Sequence, residues 1–212
     1  MSTFHAYRFP PPQNGDAPPD FLTGYFLISD TEMLDPNFYR TVVYILSHDP
    51  QGALGLVINR PSATTISDIS VDEMSDSPFS EHTVHVGGPV DQNYLFALHT
   101  GLPDNLKSEN AIEAIEGIVF EPDFTLLQYH FAYSSRIDSL PLETDIRFFA
   151  GYAGWAAGQL EQELQRHDWI PLRASPEIVF QTDPQNIWSA ALFRKGGIYS
   201  ITAETGSKPS IN

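Results

Sequence analysis

Apolar residues recur along this chain mostly in short alternating runs, a pattern that predicts strands joined by tight turns. The clearest case lies between residues 41 and 59. Thr41-Val-Val-Tyr-Ile-Leu-Ser-His48 is apolar at both alternating sets of positions, as expected of a strand covered on both faces. Asp49-Pro50-Gln51-Gly52 reads as a type I turn closed by a left-handed glycine, and 53–59 as the returning strand, stopped by Pro61. A loop of Pro50, Gln51 and Gly52 pairs Asp49 with Ala53. It sets Ile45 opposite Val57 and Tyr44 opposite Ile58.

Further strands are expected at 25–28, 83–86, 94–99, 118–120, 145–149, 169–173 and 178–180, with a last one at 198–202. Helices are expected near 71–74, over 108–115 behind a Ser108 cap, over 123–133, and over the glycine-rich 152–166. Asp183-Pro184 supplies a cap and a first-turn proline for one more, reaching about Phe193. The sum is an α+β domain of mostly antiparallel sheets with three to four short helices. Five of the chain's 17 prolines fall within 1–20. That segment is expected to form a proline-rich arm ahead of a single domain over 21–212.

Composition narrows the chemistry. Hydrophobic residues make up 42% of the 212, enough for a substantial core, and the formal net charge is −16. Phosphate contacts need a basic face, so direct nucleic-acid binding is not expected. Between residues 61 and 150 the net charge is −12, which reads as a solvated acidic surface. With no cysteine, thiol nucleophiles, disulfides and cysteine-ligated metals are excluded. The absence of a signal-like start and of a long apolar run leads us to expect a cytoplasmic protein that does not insert into membranes.

Glycines at 151, 154 and 158 superficially suggest a phosphate loop. Gln159-Leu160 stands where that loop needs Lys-Ser/Thr, and the spacing misses the dinucleotide fingerprint. His82 and His85 would point to opposite faces of a strand, and no HExxH or G-x-S-x-G pattern occurs. No metal and no cofactor are therefore expected. On a helix over 152–166, Ala153, Ala157, Leu160 and Leu164 would form the packed stripe, with Gly154 and Gly158 beside it. Trp155 and Gln159 would lie opposite, where the indole is either covered or lines a groove suited to a small ligand or peptide.

Several blocks taken together resemble the AlgH/YqgE family. They are Gly24-Tyr-Phe-Leu-Ile-Ser29, Leu34-Asp-Pro-Asn-Phe38 with Arg40-Thr-Val-Val43, and Gly52-Ala-Leu-Gly-Leu-Val-Ile-Asn-Arg-Pro61. Val86-Gly-Gly-Pro-Val90, Gly151-Tyr-Ala-Gly-Trp155, Gly158-Gln-Leu-Glu161 and Pro209-Ser-Ile-Asn212 follow in order. The resemblance spans about 22–212 and implies one α+β domain with bifurcated, coiled sheets in a bacterial or plastid protein. It carries over no catalytic residue. The chain departs from the pattern at Ser29-Asp30-Thr31, a change that bears on anything bound near the first strand.

Three functions compete. The first is a non-enzymatic binding or regulatory protein recognising a protein or small ligand, with Trp155, Gln159, Gly154 and Gly158 as its candidate site. The second is a hydrolase-like enzyme drawing on Asp35, Arg40, His48, Asn59 or His99, if they converge. The third is a DNA-binding regulator, ranked last on charge.

Overall fold

Strand β2 (Val42–Asp49) is buried on both faces, as its alternation predicts. Val43 and Ile45 enter one core cluster, while Val42, Tyr44 and Leu46 enter another on the opposite face. The computed structural model describes residues 19–69, 79–123 and 144–209. The helices expected at 71–74 and over 123–133 fall outside these, apart from Asp123, as do residues 1–18 of the arm.

β2 is flanked by β1 (Tyr25–Ser29) and β3 (Gly52–Val57), and β1 pairs on its other edge with β10 (Trp169–Arg173). β3 pairs with β9 (Ile146–Ala156), which continues the sheet to β6 (Val90–His99), β8 (Ile118–Glu121) and β7 (Ile112–Ile115). The sheet forks at β9. Its second half runs against β3, while its first half takes the parallel strand β5 (Thr83–Val86), itself paired with β4 (Pro61–Thr65). The whole is a curled, mostly antiparallel sheet in one domain. It curls far enough that β7 meets Gly24 at the start of β1, where a Cβ would stand 2.6 Å from Ile115 Cγ2.

Helices are few and short: α1 (Ile66–Ile69), α2 (Gln159–Gln165), α3 (Ile187–Lys195) and α4 (Ile198–Thr205). α3 lays Ile187, Trp188, Ala191 and Leu192 on the main core, beside Phe26, Tyr44 and Ile170. A second cluster, with Ile66, Val84, Leu102 and Phe148, fills the β4–β6 side.

Five expectations need correction. The hairpin is antiparallel, but its loop holds only Pro50 and Gln51, so Asp49 faces Gly52. A bulge between Ile45 and Ser47 shifts the register again, leaving Ile45 opposite Gly55, Tyr44 opposite Leu56 and Val43 opposite Val57. The short loop is favoured because Asp49 Oδ1 accepts the Gln51 N–H at 2.8 Å. The helix expected over 108–115 is instead a turn followed by β7. Glu116 and Gly117, the latter at φ 79°, make a two-residue hairpin that covers the buried strand β8.

The helix expected over 152–166 is strand as far as Ala156. Ala153 and Trp155 point inward while Gly154 and Ala156 are exposed, a period of two enforced by pairing with β3. Near the C-terminus, 178–180 forms one wide helical turn (Glu177–Gln181) after Pro176, which already has helical dihedrals. Residues 198–202 belong to α4. Tyr199 and Ala203 face the core there at helical spacing, and Gly206 ends the helix in the left-handed conformation.

Gly52 sits at φ 140°, where a Cβ would overlap the Trp155 carbonyl oxygen. Gly158, at φ 74°, has open space around it. We therefore expect Gly52→Ala to cost about 3 kcal/mol, and Gly158→Ala about 1 kcal/mol, in urea denaturation. Equal losses would place the strain elsewhere.

Candidate functional site

The nine residues expected to carry function separate into four places. Trp155 is 6% exposed, with its indole Nε1 donating to Glu163 Oε2 at 2.8 Å. Trp169 donates to the same oxygen at 2.8 Å, and Phe38 packs against both indoles. Gln159 closes the turn between β9 and α2, accepting from the Ala156 N–H and donating to Glu163. Gly154 lies on the strand and Gly158 in that turn. The Trp155 indole is thus enclosed in the core, while Gly154 and Gln159 beside it are exposed.

Asp35, Arg40 and Asn59 come together through one loop. Asp35 Oδ1 accepts the Asn37 N–H, and Asn59 accepts from Val42 N–H while donating to the Arg40 carbonyl. These bonds hold a chain crossing in which Arg40 has φ 52°. His48 is elsewhere: Nδ1 accepts the Leu22 N–H at 3.0 Å and Nε2 lies 3.2 Å from Glu161 Oε1. His99 is fully buried on the far side of the sheet, its Nδ1 accepting the Leu102 N–H. The five do not converge.

A cavity of about 600 Å³ lies where the β1–β10 pair meets the helices, and none of the nine lines it. Its floor is Ser29, Asp30, Trp169, Ile170 and Pro171; α3 contributes Trp188, Leu192 and Lys195; α4 contributes Ile198, Tyr199 and Thr202. The segment after α4 closes one side with Lys208 and Pro209. Thr31 also lines it, so all three positions of the departing Ser29-Asp30-Thr31 face this space.

The walls are held by specific bonds. Trp188 Nε1 donates to the Ser29 carbonyl at 3.0 Å, and the Arg40 guanidinium lies 5.2 Å from the Trp188 ring centroid. Arg40 therefore braces the wall that Trp188 presents. Lys208 Nζ lies 2.9 Å from Asp30 Oδ1 and 3.5 Å from Glu32 Oε2. The hydrogen bond to Asp30 raises the Lys208 pKa. Lys195 Nζ donates to the Pro171 carbonyl at 2.9 Å, and burial lowers its pKa.

Sequence reasoning missed Lys195, Lys208, Trp169, Trp188 and Tyr199. The spacing of Trp188 and Leu192 on the expected helix after Pro184 was the available signal, but that expected helix ends near Phe193, short of Lys195 on the same face. Among the described residues no three His, Asp or Glu side chains gather as a metal set, and no helix is long and apolar enough to cross a membrane.

A family model described as AlgH-like matches residues 26–200. A UPF0301 protein of Chlorobaculum tepidum is 34% identical over 191 residues, spanning 89% of this chain and 95% of that protein. The UPF0301 protein AlgH of Pseudomonas aeruginosa is 34% identical over 193 residues, with 89% and 96% covered. The solution structure of the Pseudomonas aeruginosa AlgH protein matches with a TM-score of 0.68 at 31% identity, covering 93% of this chain and 100% of that one. A Corynebacterium diphtheriae crystal structure matches with a TM-score of 0.65 at 22% identity over 90% and 93% of the two chains, a likeness of fold.

Two buried histidines outside the cavity should make the fold sensitive to acid. Burial pushes both His85 and His99 down to about 4, with Arg147 adding to the shift of His85 and Lys107 to that of His99. Neither His85 ring nitrogen, nor His99 Nε2, has a partner among the described residues. Between pH 6.5 and 4 the unfolded chain binds more protons at these sites than the folded one, so stability falls as pH falls. From pH 6.5 to 5 the loss should be on the order of 2 kcal/mol per histidine. Urea midpoints across that window should show it, with a shallower slope in His99→Gln. A flat profile would contradict the burial argument.

Proposed function

The chain belongs to the AlgH-like family, and we propose that it works as a non-enzymatic binding protein that takes a small organic ligand in the cavity between β10, α3 and α4. The observation that carries this reading is the composition of the cavity wall. Two indoles, a tyrosine and aliphatic side chains surround a few convergent polar groups, the usual make-up of a ligand pocket, and about 600 Å³ is within the usual size. Binding is favoured over catalysis because both ring nitrogens of His48 are engaged and His99 lies across the sheet. Neither histidine has a nucleophile to activate at the cavity.

The test uses N-phenylnaphthylamine, a neutral probe whose emission brightens in apolar surroundings. Saturable one-to-one binding is expected for the full chain. It should be lost in Thr31→Phe, which fills the cavity from a partly exposed turn and should leave the unfolding midpoint within about 1 kcal/mol. No saturable binding, or equal binding by the variant, would contradict the reading.

A further inference from the structure

The charge inventory of the cavity is uneven. Asp30 is the one acidic side chain among the described residues that line it, and it is already held by Lys208, which also reaches the exposed Glu32. The chain has three lysines. Lys107 is paired with Asp104 and Lys208 with Asp30, but Lys195 has no carboxylate within 4.0 Å among the described residues. Its ammonium meets a neutral carbonyl, that of Pro171, at 2.9 Å. It also closes the last turn of α3, whose carbonyl end offers only partial negative charge. The neighbouring Arg194 has taken the nearby acid, Glu177, at 3.2 Å.

An ammonium half removed from water without a counter-ion is a cost that an incoming anion relieves. In a chain of net charge −16, this is a local exception to the general repulsion of anions. Resting on the reading of the cavity as a ligand site, we propose that its ligand is an aromatic monocarboxylate. Its carboxylate would meet Lys195, and its ring would lie among Ile170, Trp188 and Tyr199. One uncompensated positive charge suits a monoanion and leaves a nucleotide or other polyanion unneutralised. An organic cation finds no free carboxylate, since Asp30 is occupied. The lowered Lys195 pKa agrees with this, because desolvation is its only resolved cause and no acid opposes it.

Naphthoate and naphthamide, equal in shape and different in charge, separate the ligand class from the existence of the site. By calorimetry the full chain should bind naphthoate about tenfold or more tightly than naphthamide, the worth of one charge-assisted bond. Lys195→Met should erase that preference while leaving naphthamide affinity within about twofold, and Lys195→Arg should keep it. Retained naphthamide binding also shows that the Met variant folds. Equal binding of both probes by the unmodified chain would overturn the carboxylate inference and leave the cavity reading standing. A preference that survives Lys195→Met would overturn the assignment to Lys195. Binding of neither probe would overturn the cavity reading and this inference with it.

Discussion

One strand holds the molecule together. β9 pairs with β6 along one edge and divides its other edge between β5 and β3, so among the described strands it is the one whose pairing joins the two halves of the sheet. Its side chains reach all three core clusters: Phe149 in the main one, Phe148 in the second, Ala153 and Trp155 in the third. A shift of one residue in its register would exchange those faces at once and expose each cluster. Midway along β9, a Cβ on Gly151 would stand 2.6 Å from the Val90 carbonyl oxygen and 2.8 Å from that of Gly88.

That constraint leaves the cavity at the other end of the sheet. β10 is paired on one edge by β1, and among the described residues its other edge meets no strand. Unpaired edges invite association with other chains, and proteins blunt them with proline, charge or a covering helix. Here Pro171 removes a donor, Lys195 donates to the Pro171 carbonyl, and α3 and α4 lie beside the strand. The helices are set by the Trp188 bond to Ser29 and by the turn through Gly196 and Gly197. The space between them and the strand is the cavity, so covering the edge and forming the cavity are one structural event.

What could be read from the sequence was local. The apolar run over 41–48 identified a doubly buried strand, Asp183-Pro184 a helix start, and the ordered blocks the family and its forked sheet. Where tertiary pairing decided the outcome, local reading failed. Tyr152–Ala156 carries alanines and glycines that suit a close-packed helix, yet β3 makes it a strand. Ile198–Thr202 is rich in strand-favouring residues, yet flanking glycines and the inward face of Tyr199 and Ala203 make it helical. The site suffered most from this. Assigning a helix to Trp155 put functional weight on an indole that is core, while the strand assigned to 198–202 hid the helix that walls the cavity. Lys195 and Asp30 are far apart in sequence, and only the β1–β10 pairing brings their surroundings together.

On the proposed reading the working site lies at the cavity wall that Trp188 presents, and the glycine-rich block around Trp155 is structural. The three indole N–H signals in a nitrogen-correlated NMR spectrum distinguish the two places, since Trp188 donates to Ser29 at the cavity wall while Trp155 and Trp169 share Glu163 in the third cluster. On addition of naphthoate to saturation, the Trp188 signal should move with the ligand's occupancy, and Trp155 should move least. A largest shift at Trp155, or three unmoved signals with bound ligand, would contradict the account.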